Sequence, residues 1–88
     1  MKGEKIMIDL KEACKIVCSN NKDMKPISCV ELKNYYSFNM VPKKNRELFA
    51  NSSVYLVNKK TGEYEVAYFM KVVNEPILKR FNESDLNI

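Results

Sequence analysis

The residues that could carry chemistry are few in this sequence, and they are scattered. The 88-residue chain contains no histidine, the side chain that enzymes use most often as a general base. Its two glycines, Gly3 and Gly62, cannot build a glycine-rich phosphate loop. Glu63 and Glu65 would share one face of a strand, but that face is more simply explained as solvent-exposed. We therefore expect no catalytic residues and no enzymatic activity.

Three cysteines are the remaining reactive groups: Cys14, Cys18 and Cys29. Zinc sites use closely spaced Cys or His pairs, and this chain has no C-x-x-C motif. Cys14 and Cys18 stand four apart, so a helix would place both on one face. The pair could be metal ligands or a redox switch, although small apolar core residues in a reducing compartment are the commoner case. We expect no metal and no cofactor.

Composition restricts the other function classes. With 45% hydrophobic and 30% charged residues, the chain is typical of a folded protein. We expect one domain over residues 1–88, with residues 1–7 as a flexible N-terminal segment. No apolar run approaches the roughly 20 residues that span a bilayer, and the N-terminus does not resemble a signal peptide. The sequence therefore predicts a cytoplasmic protein that makes no contact with a membrane.

The first predicted element is a helix over about Asp9–Ser19. Asp9 can accept hydrogen bonds from the first-turn amides, and Glu12 stands three residues later, as in a capping box. The apolar residues that follow recur at helical spacing, which predicts one buried stripe. They are Leu10, Ala13, Cys14, Val17 and Cys18.

Two hairpins follow the helix in the predicted fold. The clearer one lies between Val54 and Phe69, where Asn58 and Gly62 supply the turn between two runs of β-forming residues. The other comprises strands at about 28–32 and 35–41, joined at Lys33-Asn34, since asparagine tolerates the positive φ of a tight turn. A single long strand over 27–40 is the alternative.

The C-terminal segment is predicted to be a short helix. Asn74-Glu75-Pro76 has the form of a helix start, and Ile77, Leu78 and Phe81 would be its buried residues. The predicted fold class is α+β: one N-terminal helix packed on an antiparallel sheet of three to four strands, with this short C-terminal helix.

The most plausible binding surface is the long connection from Pro42 to Ser52 with nearby tyrosines. A connection of this length in a small domain often has a function. One helix covers only one sheet face, so some aromatic residues should remain exposed unless the C-terminal helix covers them. The residues predicted to bind a protein partner are Lys43, Lys44, Arg46, Tyr35 and Tyr55.

Several segments together resemble a known family. They are the capped helix, the run Pro26-Ile27-x-x-Val30-Glu31, the aromatic strand Tyr35–Asn39, and the hairpin Val54–Glu63. This arrangement resembles the YrhB-like family, also classed as immunity protein family thirty-five, over about residues 9–70. The resemblance implies a small bacterial α+β immunity protein that neutralises a cognate toxin by stoichiometric binding, as in toxin–antitoxin pairs. Its toxin partner would then be a protein domain.

An alternative function follows from the positive charge. The chain carries a formal net charge of +4, and Lys43, Lys44, Arg46, Lys59 and Lys60 could contact phosphates. These residues lie in the long loop and at the predicted hairpin tip, where lysine is also common for other reasons. Nucleic-acid binding is therefore the second hypothesis, together with a small regulatory or anti-defence protein that uses the same basic surface.

Overall fold

The computed structural model describes residues 7–44 and 53–86, which form one helix packed on one antiparallel sheet. The α+β class is confirmed. The sheet has five strands rather than three or four, in the order β4-β3-β2-β1-β5. The elements are α1 (Leu10–Asn20), β1 (Met24–Glu31), β2 (Tyr35–Pro42), β3 (Ser53–Asn58), β4 (Tyr64–Tyr68) and β5 (Lys79–Asn82), with 3₁₀ turns at Phe69–Lys71 and Glu83–Leu86.

Helix α1 begins and packs as its sequence predicts. The Asp9 carboxylate accepts a hydrogen bond of 2.9 Å from the Glu12 N–H, which satisfies one free amide of the first turn. Ala13, Cys14 and Val17 are buried against the sheet. At the other end, the Asn21 side-chain amide donates to the Val17 carbonyl, so the last turn is also closed.

Both predicted hairpins are present. Strands β1 and β2 are joined at Lys33-Asn34, where the Leu32 N–H donates to the Tyr35 carbonyl at 2.8 Å. Strand β1 begins at Met24, four residues earlier than predicted. Asn34 does not have the positive φ expected of it, because Gly62 alone adopts positive φ among the described residues. The two-hairpin interpretation is correct, but the geometry assigned to this turn was wrong.

The turn between β3 and β4 has the predicted chemistry. The Asn58 side-chain oxygen accepts hydrogen bonds from the N–H groups of Lys60 and Thr61, at 2.8 and 3.1 Å. Gly62 has a φ of 79° and donates its N–H to the Asn58 carbonyl. Only glycine enters this left-handed region without steric cost, so Gly62 lets the chain reverse into β4.

The predicted C-terminal helix over Ile77–Phe81 is wrong. Residues 79–82 instead form strand β5, which pairs with β1, and the Leu78 N–H donates to the Glu31 carbonyl at 2.8 Å. Ile77 and Leu78 are exposed, whereas Phe81 lies opposite Cys29 and is half-buried against the core. One edge of β1 is not paired with β2, so its backbone N–H and C=O groups can form hydrogen bonds with another strand. These hydrogen bonds outweigh the local helix-start signal at Pro76.

Side chains alternate between the two faces of the sheet, and both faces carry buried residues. The face toward α1 carries Phe38, which is fully buried in the main core. On the other face Leu56 is also fully buried, and Ser37 opposite it is nearly so. Because β4 and β5 lie at opposite edges, residues 69–78 must cross the sheet. Lys71 in this crossing segment forms an ion pair with Glu65, which the register places on the face away from α1.

Candidate protein-binding surface

Strand β4 forms one edge of the sheet and carries exposed apolar side chains. The register pairs Val66 with Tyr55, which places Val66 and Tyr68 on the α1 side of the sheet. The helix does not cover them: their exposed fractions are 51% and 73%, and that of Met70, just after the strand, is 69%. We call Val66, Tyr68 and Met70, together with the outer backbone edge of β4, the β4 surface.

The phase of the β3–β4 ladder shows which backbone groups of β4 point away from β3. The Asn58 N–H donates to the Glu63 carbonyl at 2.8 Å, so this pair exchanges hydrogen bonds and alternate pairs after it do the same. Tyr64, Val66 and Tyr68 fall between those pairs. Their N–H and C=O groups therefore point away from β3, on the outer edge of the sheet, where another strand could pair with them.

One polar contact defines where α1 stops covering β4. The Asn21 side-chain amide at the end of α1 donates to the Tyr64 hydroxyl at 2.8 Å. Tyr64 is thereby half-buried, whereas Val66 and Tyr68, further along the same face, have no helix above them. The boundary between covered and uncovered surface thus lies between Tyr64 and Val66.

The structure separates the residues predicted to bind a partner. Tyr35 is half-buried at the start of β2, and Lys43 and Lys44 are exposed just after its end. Eight residues of extended strand, at about 3.3 Å each, put Tyr35 and Lys43 roughly 26 Å apart. Tyr55 is 8% exposed within the core, so its ring does not project from the surface. Arg46 lies outside the described residues.

Lys43 and Lys44 contribute to a separate cleft at the far end of the sheet. It has a volume of about 380 Å³ and is also lined by Asp23 and Pro42. The Lys43 N–H donates to the Asp23 carbonyl at 2.9 Å, which ties the beginning of the long loop to the turn before β1. The Asp23 carboxylate offsets part of the positive charge of the two lysines, so the cleft is not a purely basic site.

Lys59 is buried, contrary to its predicted place in an exposed basic patch. The residue is 6% exposed, and its Nζ lies 2.7 Å from the Glu31 carboxylate and 3.0 Å from the Leu32 carbonyl. The same ammonium lies 5.3 Å from the centre of the Tyr36 ring. This charge joins the two hairpins and cannot contact a phosphate, while its neighbour Lys60 is exposed at the turn.

The cysteines are all free thiols, and two of them lie side by side on α1. Burial, with a further contribution from the adjacent Cys18, raises the pKa of the Cys14 thiol to about 11. Burial also raises the pKa of Cys29. Within residues 7–44 and 53–86, no three His, Cys, Asp or Glu side chains are grouped closely enough to hold a metal ion.

Comparisons with known proteins do not assign the chain to a group. No protein-family model matches it, and no curated protein or solved structure matches it either. In the part of the chain that the structure describes, no helix has the length and apolar character needed to cross a membrane.

Sequence reasoning missed the β4 surface although its signal was present. Tyr64, Val66, Tyr68 and Met70 alternate along one side of the second strand of the clearer hairpin. That alternation equally describes a core-facing strand, because it does not say whether the strand is central or at an edge. The strand order decides the question, and it depends on β5 pairing with β1 at the opposite edge.

Proposed function

We propose that this protein is a non-enzymatic binding domain that holds a protein partner on the β4 surface. The observation that carries the proposal is an edge strand whose outer backbone groups pair with no other described strand, beside exposed Val66 and Tyr68. Backbone pairing at such an edge gives affinity, and side-chain pockets beside it give selectivity. A tyrosine in this position adds a large apolar ring with a polar tip, a common anchor at protein interfaces.

The partner is proposed to be a bacterial toxin domain that the protein neutralises by stoichiometric binding in the cytoplasm. The resemblance to the YrhB-like immunity family supports this choice of partner. The formal net charge of +4 favours a toxin whose binding surface is acidic, since complementary charge speeds association. A basic chain would be poorly matched to the phosphate-binding cleft of a nuclease, which is itself usually basic.

The proposal is tested by co-expression with the toxin encoded by a neighbouring gene, followed by binding measurements. Tyr68→Ala and Val66→Ala should abolish rescue of growth or increase the dissociation rate at least tenfold, because both side chains lie at the centre of the β4 surface. Val73→Ala is the matched control, since Val73 is 53% exposed but lies in the crossing segment. Circular dichroism should show that all three variants remain folded.

Two results would overturn the proposal. One is a wild-type protein that fails to protect cells from any toxin encoded beside it, which would remove the toxin as partner. The other is a complex in which Tyr68→Ala and Val73→Ala change the dissociation rate equally, which would place the binding site away from β4. Double charge reversal at Lys43 and Lys44 then tests the long loop as the binding site, through a slower association rate.

A further inference from the structure

A groove beside α1 brings two thiols and two ammonium groups together. The helix contributes Cys14, Cys18, Lys11 and Lys15, and Pro26 and Leu86 line the groove with them. Its volume is about 470 Å³ and it opens to solvent. Pro26 belongs to β1 and Leu86 follows β5, so the groove lies toward the β5 edge of the sheet, whereas the β4 surface lies at the other edge.

The two thiols are adjacent and differ in exposure. Cys14 and Cys18 both line the groove, with Cys14 5% exposed and Cys18 half-buried. Residues four apart on a helix have Cβ atoms about 5–6 Å apart. A metal ion bound between two sulfurs, at about 2.3 Å from each, needs them about 4–4.6 Å apart. Small side-chain rotations on the intact helix can supply that spacing.

We propose that Cys14 and Cys18 form a two-sulfur binding site for one monovalent copper ion. Soft thiolate ligands select Cu(I), and this ion is satisfied by two sulfurs in a nearly linear arrangement. Zinc requires about four ligands, and the described lining of the groove offers no carboxylate and no imidazole to complete such a set. The helix therefore presents a donor pair that matches an ion of low coordination number.

The charges around the groove agree with this occupant. On binding, each thiol loses its proton to solvent and each sulfur forms one bond to the ion, so two thiolates and one Cu⁺ carry a net charge of −1. Lys11 and Lys15, one turn apart on α1, lie at the same groove and offset that charge. No oxidation or reduction takes place in this step.

The test is an anaerobic titration of the protein with Cu(I), in competition with a Cu(I)-specific chromogenic chelator. We expect one ion per wild-type chain. Cys18→Ser should lower the affinity at least about 100-fold, more than the loss of an outer-shell contact would. Cys29→Ala is the control: Cys29 is fully buried and its thiol is directed at the Val30 carbonyl, so this variant should bind as the wild type does.

A second measurement needs no variant. One equivalent of Cu(I) should protect Cys18 of the wild-type protein from alkylation, as followed by mass spectrometry. The proposal is overturned if alkylation of Cys18 is unchanged by copper, or if Cys18→Ser binds as tightly as wild type. Because Cys18 is half-buried, its serine variant should remain folded, and circular dichroism verifies this.

Discussion

Replacing Lys59 by methionine tests the most unusual buried interaction of the fold. The substitution keeps most of the apolar stem and removes the ammonium, which is bonded to the Glu31 carboxylate and the Leu32 carbonyl. Both acceptors would then lack their partner. The change therefore isolates the electrostatic role of Lys59 from its packing role.

The expected loss of unfolding free energy depends on how deeply Lys59 and Glu31 are buried. Removing one member of a fully buried ion pair costs about 3–5 kcal/mol. The Lys59 side chain is 7% exposed, but the Glu31 side chain is 25% exposed, so water can return to part of the carboxylate. Loss of the contact with the Leu32 carbonyl adds to the cost. We expect Lys59→Met to lower the free energy of unfolding by about 2–4 kcal/mol, a large share of a small domain's stability.

Urea denaturation of five proteins measures this effect. They are the wild type, Lys59→Met, Glu31→Met and the double variant, with Lys60→Ala as an exposed control expected within about 0.5 kcal/mol of wild type. The double-mutant cycle should give a coupling energy of about 1–3 kcal/mol. If Lys59→Met unfolds at the same urea concentration as Lys60→Ala, the buried ion pair does not stabilise this fold and the reasoning fails.

Three further predictions concern the turn, the helix and pH. Gly62→Ala should cost about 1–3 kcal/mol in urea denaturation, because φ is 79° and an added Cβ would lie 2.7 Å from the Ile8 Cδ1 atom. Val17→Ala, at a fully buried position, should cost about 1–3 kcal/mol, whereas exposed Lys15→Ala should change stability by less than about 0.5. Folding raises the pKa of the Cys14 thiol from 9.0 to about 11. The stability that this thiol contributes is therefore complete below about pH 9 and is lost as the pH rises to about 11. Cys14→Ala should reduce the decline in unfolding free energy over that pH range.

The local part of the fold could be predicted from the sequence, because its signals are local. Asp9 and the apolar stripe defined α1, and Asn58 with Gly62 defined the β3–β4 turn. Each of these depends on interactions within about five residues. The position of β5 could not be predicted, because Pro76 gives a helix-start signal and the pairing with β1 joins residues some 50 positions apart. Tertiary pairing outweighed propensity there.

The candidate site was harder to predict because it also depends on contacts between residues that are far apart in the sequence. Charged residues at turns are usually exposed, and this general rule predicts an exposed Lys59. Lys59 is buried instead, because its ammonium binds the Glu31 carboxylate and the Leu32 carbonyl of the other hairpin. Tyr55 was expected to be exposed because one helix cannot cover a whole sheet. The helix leaves β4 uncovered instead, at Val66 and Tyr68.

The two edges of the sheet differ in a way that favours β4 as the binding edge. Strand β5 has four residues, and its Lys79 and Arg80 are exposed. Short edge strands rich in positive charge are a common protection against unwanted strand pairing. Strand β4 instead exposes Val66 and Tyr68 on one face. An open edge of this kind carries a risk of aggregation, which a partner bound there, as proposed above, would remove.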